Sequence, residues 1–380
     1  MSGPTLDEDF LARRVRPRFS RALRQEAVYL ANHSLGRPPD RVAEDIQRAL
    51  DAWYRDMGEA WNEWLAARDR FRELTAKLAG VPRGDSIIPK CSAGQGLRAV
   101  LNAFDGRIRV LATDEEFDSL DFILRAYRGR GRIELITARA RAEELLAAVK
   151  RKADLLVLST VLFRTGEVVS GLKEIVSAAH AGGCKVLLDV YHHAGALPLD
   201  LAALDADFAV GGSYKYTRGG PGACWLYVHP RHQHLRTLDT GWFAKKDAFS
   251  YARPEPPQYA AGGDAWLEST PPVLAPVQAL AGLEFTLEIG VERLRAHHLA
   301  QKRRLFELLK CEGIDAEGEG ENYGQFLTVR HPRARELSTA LMERKIKTDA
   351  RGEFLRLCPD LLNTGGELEQ AARALASAMR

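Results

Sequence analysis

Six short apolar runs in the middle of the chain, interleaved with segments of helical period, constrain the fold more than any other feature. They are RIRVLA (107–112), RIELIT (132–137), DLLVLST (154–160), CKVLLDV (184–190), DFAVGGS (207–213) and CWLYVH (224–229). Runs this short, rich in Val, Ile and Leu, suit strands buried on both faces, as in a parallel sheet. Between the first of them lie SLDFILRAYR, ARAEELLAAVKRK and LKEIVSAAHAGG, whose spacing predicts helices; the last stops on Gly182 and Gly183. Alternation of this kind predicts an α/β domain with a mostly parallel sheet flanked by helices. A chain of 380 residues, 46% hydrophobic and 28% charged, has the apolar material for one such domain and a smaller companion.

The tail follows another pattern. A helical period runs from about Pro276 to Leu309. Then come a strand at FLTVR (326–330), a helix near 333–344, a strand pair KIKTDA and EFLRLC, and a last helix from about Gly366. This predicts a smaller α+β domain of residues 1–38 and 275–380 beside a large cofactor-binding α/β domain of residues 39–274. The Pro- and Gly-rich stretch 251–272 is expected to be a loop between them.

Net charge is +3, which points to neither nucleic acid nor an anionic membrane surface. The N-terminal stretch is charged and without an apolar core, so no signal peptide is expected, and no run is long enough to predict a transmembrane helix. The cysteines are Cys91, Cys184, Cys224, Cys311 and Cys358, widely spaced and without C-x-x-C. That spacing argues against a disulfide framework or a cysteine zinc site, and a cytoplasmic setting is expected.

The chemistry centres on SYKY (213–216), where Lys215 follows an apolar strand and precedes the glycine-rich RGGPG. A lone lysine there would be an exposed loop residue. A buried one has a lowered pKa and becomes a Schiff-base nucleophile. Asp189 ends the strand KVLLD, at the sheet edge where α/β ligands bind; by itself it also suits a helix cap. Together the two meet the needs of pyridoxal 5′-phosphate (PLP), an amine for the aldehyde and an anion for the ring nitrogen. The segment KCSAGQGLRAVLNAF (90–104) opens a helix with small residues, leaving Ala93, Gly94 and Gln95 as candidate phosphate donors. Phe117 could lie on a cofactor ring or simply pack in the core. Ser159 and Thr160 end a strand and could donate to the ring or phosphate, or form a turn.

These segments resemble the class V, fold-type I PLP enzymes, and within them the kynureninases. VYLANHSLGRPP, LSTVLFRTGEV, LLDVYHHAGALPLDL, DFAVGGSYKYTRGGPGACWLYVHP, GWFAK, ESTPPVLA and RGEFLRLCPDLL are similar to kynureninase segments, in order, over nearly the whole chain. The resemblance implies that Lys215 carries PLP and moves the substrate α-proton, that Asp189 pairs with the pyridinium nitrogen, and that Phe117 stacks on the ring with His192 nearby. Ala93, Gly94 and Tyr214 would hold the phosphate, with Tyr214 also a proton donor. Trp242 and Thr270 would reach the cofactor from the partner subunit of a homodimer. Arg356 would grip the substrate α-carboxylate, with His33 and Thr270 near the substrate. The implied reaction is hydrolysis of the Cβ–Cγ bond of kynurenine or a related γ-keto amino acid in tryptophan catabolism.

Four positions depart from the kynureninase pattern. His33 stands in place of asparagine, Tyr191 in place of alanine, Arg164 in place of an aromatic residue or lysine, and Thr270 in place of asparagine. They leave room for a class V aminotransferase or lyase acting on another amino acid. A cysteine desulfurase would need a mobile-loop cysteine, which neither Cys311 nor Cys358 resembles. A zinc hydrolase built on His192 and His193 lacks H-E-x-x-H, and no metal is expected.

Overall fold

The computed structural model describes residues 6–380; the first five residues of the N-terminal stretch read for a signal peptide lie outside the described residues. In chain order the strands are β1 (Val28–Tyr29), β2 (Ile87–Lys90), β3 (Ile108–Thr113), β4 (Ile133–Ala138), β5 (Leu155–Ser159), β6 (Lys185–Asp189), β7 (Phe208–Gly212), β8 (Cys224–Val228), β9 (Leu327–Arg330), β10 (Ile346–Lys347), β11 (Asp349–Arg351) and β12 (Phe354–Leu357).

The main sheet has the order β2-β8-β7-β6-β5-β3-β4. Neighbours from β7 through β4 are parallel. The run at 224–229, expected to be a further parallel strand, is antiparallel to β7. The reason is the connection: residues 213–223 contain no helix, and a parallel return needs a crossover. β2 pairs antiparallel with β8 and so points the same way as β7. The sequence pattern missed this strand because Pro89 interrupts it; Pro is tolerated there because β2 is the edge of the sheet.

Each face of the sheet buries a hydrophobic layer. One gathers Leu111, Leu156, Leu158, Val186, Leu188 and Ala209 with the helix Leu172–Ala181. The other gathers Val110, Leu155, Val157, Leu187, Phe208 and Val210 with the helices Ala93–Leu101 and Asp118–Gly129. Alternate residues of β5 and β6 go to opposite layers, which is why these strands are apolar throughout.

The helical stretch expected from Pro276 to Leu309 is two helices, Leu274–Ile289 and Val291–Cys311, bent by 83°. Gly290, at φ +91°, makes the corner, a conformation that costs a residue with a Cβ. The first of the two packs on the helices Arg41–Asp56 and Ala60–Leu78, on the side of the large sheet. We therefore propose moving the domain boundary from 274/275 to Gly290. Beyond the corner, β9, β12 and β11 form a small antiparallel sheet, and Leu305, Leu327, Leu355 and Leu375 share one core. The N-terminal segment joins it: β1 pairs in parallel with β10, and Leu11, Val15 and Phe19 pack with Phe285, Leu294 and Leu361. Among the described residues, no single helix is long and apolar enough to cross a membrane.

A buried ionic group ties the loop after Lys215 to the tail. Both oxygens of Asp360 accept from Arg218, at 2.9 and 2.5 Å, and Arg37 lies 3.5 Å away. Burial opposes the Asp360 charge, but Arg218, His298 and Arg37 hold its pKa well below the carboxylate range. Asp360→Ala would leave two buried guanidinium groups uncompensated and should cost about 3–5 kcal/mol, read as a lower midpoint in urea. Because the folded pKa is depressed, the wild-type contribution is complete above about pH 4 and lost as pH falls below it. A midpoint difference that persists unchanged at pH 3 would contradict this account.

Candidate active site

Parallel strands that start together also end together, and four of them deliver side chains to one edge. β6 ends on Asp189 and β5 on Ser159. β7 ends on Gly212, just before Tyr214 and Lys215, and β3 ends on Thr113, just before Glu116 and Phe117. A closed cavity at this edge is lined by Lys215, Asp189, His192, Tyr214, Ser159 and Phe117, with Val161, Phe163 and Tyr191 completing its wall. The SLGRPP segment closes over the lysine loop. Gly36 N–H donates to the Tyr214 carbonyl at 2.8 Å, and a Cβ on Gly36 would stand 1.9 Å from the Lys215 carbonyl oxygen. Only glycine fits that approach.

Lys215 is 6% exposed and Asp189 5%. Burial pushes the Lys215 pKa down from the ordinary lysine value, with Asp189 partly restoring it and Arg356 lowering it further. Burial likewise pushes Asp189 up, against the Tyr191 N–H, which donates to its Oδ1 at 2.9 Å, and against the charge of Lys215. His192 Nε2 lies 2.7 Å from Lys215 Nζ, and His192 Nδ1 lies 3.1 Å from the Tyr216 hydroxyl. Burial, then Lys215 and Arg356, hold His192 well below its usual value, so the ring is neutral. A neutral ring that accepts from the amine at Nε2 donates from Nδ1 to Tyr216. His193 turns elsewhere, to Thr160 and the Pro198 carbonyl.

Phe117, Tyr191 and Tyr214 surround the amine, their ring centroids 5.9, 5.5 and 5.6 Å from Lys215 Nζ. Burial, then Asp189, pushes the Tyr214 phenol up to about 12, so it keeps its proton at neutral pH. The helix Ala93–Leu101 follows β2 and opens at the same edge. Its Ala93 and Gly94 N–H groups have no intrahelical acceptor and line a neighbouring open cavity with Tyr191 and Tyr214. Gln95 is differently placed. Its N–H is capped by Ser92 Oγ at 3.1 Å and its side chain turns to Glu268 at 3.0 Å.

Ser159 is also engaged. Its hydroxyl donates to Glu116 Oε2 at 2.6 Å, and Thr113 donates to Glu116 Oε1 at 2.6 Å. Glu116 was not singled out in the sequence, where it is one of several acidic residues in DEEFD; its adjacency to Phe117 was the available signal. Arg356 lies outside the closed cavity. Its Nε and Nη2 pair with the two Asp349 oxygens at 2.8 and 2.6 Å, and Nη1 donates to the Phe163 carbonyl. His33, fully buried, holds the same Asp349 oxygen at 2.8 Å, and burial with the nearby Arg356 charge lowers its pKa to about 4. Arg164 pairs with Glu115 near the surface. Trp242 Nε1 donates to Thr270 Oγ1 at 3.1 Å, and within one chain neither lines the Lys215 cavity.

The donor set fits PLP. A buried carboxylate stands where a ring nitrogen can be met, and a buried amine faces it within an aromatic enclosure. Free N–H groups at a helix start flank the neighbouring cavity, ready for phosphate.

Comparison with known proteins agrees. The aminotransferase class-V family model matches residues 28–355. A kynureninase from Deinococcus radiodurans is 28% identical over 360 residues, covering 90% of this chain and 85% of the relative. A kynureninase from Bacillus thuringiensis subsp. konkukian is 26% identical over 383 residues, covering 94% of this chain and 89% of the relative. Among solved structures, a variant of C-DES with glycine covalently linked to its PLP cofactor superposes with a TM-score of 0.85 at 20% identity, covering 95% and 98% of the two chains. The apo cysteine desulfurase from Thermococcus onnurineus NA1 gives 0.82 at 17% identity, covering 99% of each chain. At these identities the structural likeness speaks for the fold.

Glu116 offers a direct check on the electrostatics. Burial raises its pKa to about 7, against hydrogen bonds from Ser159 and Thr113 and with a further push from Asp189. An acid with a raised folded pKa loses stability as pH rises from its unfolded value through about 7. Glu116→Gln should therefore gain on wild type between pH 5 and pH 8, by at most about 3 kcal/mol. Thermal melts at the two pH values decide it; a pH-independent difference would mean that Glu116 is ionised throughout.

Proposed function

The chain belongs to the class-V aminotransferase family, and on that premise we propose that it hydrolyses the Cβ–Cγ bond of kynurenine or a related γ-keto amino acid. It is a PLP-dependent enzyme of that class. The observation that carries the proposal is the closed cavity shared by Lys215 and Asp189, in a chain whose curated relatives include kynureninases along nearly its whole length.

PLP, when bound, supplies an electron sink for charge that develops on the substrate carbons. Lys215 would hold it covalently, Asp189 would accept the ring-nitrogen proton, and Ala93, Gly94 and Tyr214 would take the phosphate. Phe117 would cover one face of the ring. With its lowered pKa, the Lys215 amine is suited to take the proton from the substrate Cα, and His192 Nε2, neutral and 2.7 Å away, orients it. Water adds to the γ-carbonyl carbon, the Cβ–Cγ bond breaks, and the Tyr214 phenol can return a proton to Cβ. Alanine and an aromatic carboxylic acid leave. Val161 and Phe163 exclude bulk water from the amine.

A class V aminotransferase or lyase acting on a different amino acid is the second reading. The cofactor residues are common to both readings, and the departures from the kynureninase pattern at His33, Tyr191, Arg164 and Thr270 support the second. A homodimer belongs to the proposal, with Trp242 and Thr270 serving the partner's site. The exposed Trp53, Tyr54, Phe249 and Tyr251 support such a surface. A cytoplasmic setting and a place in tryptophan catabolism complete it; five unpaired cysteines support the former.

Purified protein reconstituted with PLP should show a visible absorption band that Lys215→Ala lacks, and kynurenine should change the band and release anthranilate. A band with no response to kynurenine would discard the hydrolase and keep the family; an unchanged band in Lys215→Ala would discard Lys215. Arg356→Ala should raise KM for the productive amino acid about tenfold or more, as loss of a charge-assisted pair implies, with a smaller change in kcat. An unaltered KM would mean that the carboxylate is held elsewhere.

A further inference from the structure

Two glycines at the end of β7 make room for side chains from the strands beside it. A Cβ on Gly211 would stand 2.2 Å from the Trp225 ring, and one on Gly212 would stand 2.4 Å from the ring of Tyr191. Tyr191 thus leaves the end of β6 next to Asp189, crosses β7 over Gly212, and brings its hydroxyl beside Cys224 on β8. It heads across the sheet toward β2, the strand that feeds the helix start at Ala93. Its ring therefore lies between the carboxylate end and the helix-start end of the cofactor region. It lines both the closed cavity around Lys215 and the open cavity at Ala93 and Gly94.

Two polar groups on this wall have no strong partner within the protein. The Tyr191 residue is 6% exposed, and its hydroxyl meets no nitrogen or oxygen partner; beside it stands the Cys224 thiol, a weak acceptor. A ligand oxygen would be the stronger acceptor for this buried hydroxyl. Arg98, one turn into the helix, brings Nη1 to 3.5 Å from the position of a Cβ on Gly94, and lines the same open cavity. It forms no ion pair among the described residues. Asp118, the acidic residue on that wall, is solvent-exposed. A donor hydroxyl, a guanidinium and the free N–H groups of a helix start together suit a dianion.

We propose that Tyr191 and Arg98 complete the phosphate end of the cofactor pocket in this chain, the Tyr191 hydroxyl donating to a phosphate oxygen of PLP and the Arg98 guanidinium pairing with its charge. The proposal rests on the assignment of PLP to this cavity. It gives the tyrosine at the family's alanine position a function, with Gly212 as the space that admits it.

The test compares PLP with pyridoxal, which has the same ring and aldehyde but no phosphate. Apoprotein is titrated with each and binding is followed by absorbance and by quenching of tryptophan fluorescence. Tyr191→Phe keeps the ring and removes only the hydroxyl. It should weaken PLP binding about tenfold and leave pyridoxal binding unchanged. Arg98→Gln should show the same selectivity. Since the hydroxyl meets a weakly accepting thiol in the apoprotein, Tyr191→Phe should change the apoprotein melting temperature little. Equal losses for both ligands, or no loss for PLP, would overturn the proposal while leaving the cofactor assignment intact. Wild-type apoprotein that takes up neither ligand would overturn the assignment, and the proposal with it.

Discussion

Strands that run side by side in one direction must finish at one edge, and this constraint assembles the site. β3, β5, β6 and β7 are consecutive neighbours in the sheet and parallel, so Glu116 with Phe117, Ser159, Asp189 and Lys215 all emerge together although they are spread over 99 positions of the chain. β2 points the same way and adds the helix start at Ala93. The site's own side chains do not bring the strand ends together. Hydrophobic packing on both faces of the sheet does so, and the charged groups are carried into burial by it.

That burial sets the electrostatics. An amine, two carboxyl groups and an imidazole share a space with little water, and each moves toward its neutral form: Lys215 and His192 down, Asp189 and Glu116 up. An amine so shifted is suited to act as base and nucleophile without a strong base beside it. Glu116 is tied by three hydrogen bonds, from Thr113 and from the Ser159 hydroxyl and N–H. It fixes Ser159 in place and takes up the hydroxyl's proton, leaving its oxygen free to accept. A few ångströms of backbone thus separate groups that act on a ligand from groups that hold those groups still.

The tail contributes a polar group of its own. Asp349 on β11 and Arg356 on β12 face each other across a hairpin register, and His33 comes from the segment after β1 to share the same carboxylate. The three form a polar knot: His33 and Arg356 hold Asp349 well below the carboxylate range against its burial, and burial keeps His33 neutral at physiological pH. The Arg218–Asp360 pair joins this body to the lysine loop. Of the positions that differ from the kynureninase pattern, His33 lies in this knot, Tyr191 lines the Lys215 cavity, and Arg164 and Thr270 lie outside it, while Lys215 and Asp189 are kept.

The sequence by itself determined the local elements. Apolar runs of six or seven residues read as strands covered on both sides, and their limits were readable within a residue or so; β4, at the sheet edge, departs from this, with Glu134 and Thr137 exposed. The lysine segment and the aspartate at a strand end were legible for the same reason, since each follows such a run. What only the tertiary structure decided are relations between distant segments. The antiparallel return of β8, the corner at Gly290, the hold of Glu116 on Ser159, the grip of Asp349 on Arg356 and the passage of Tyr191 over Gly212 leave no periodic trace. Periodicity reports which face of an element is buried, whereas partners across a fold are chosen by strand order and by the space that neighbouring side chains leave, and these exist only once the chain has packed.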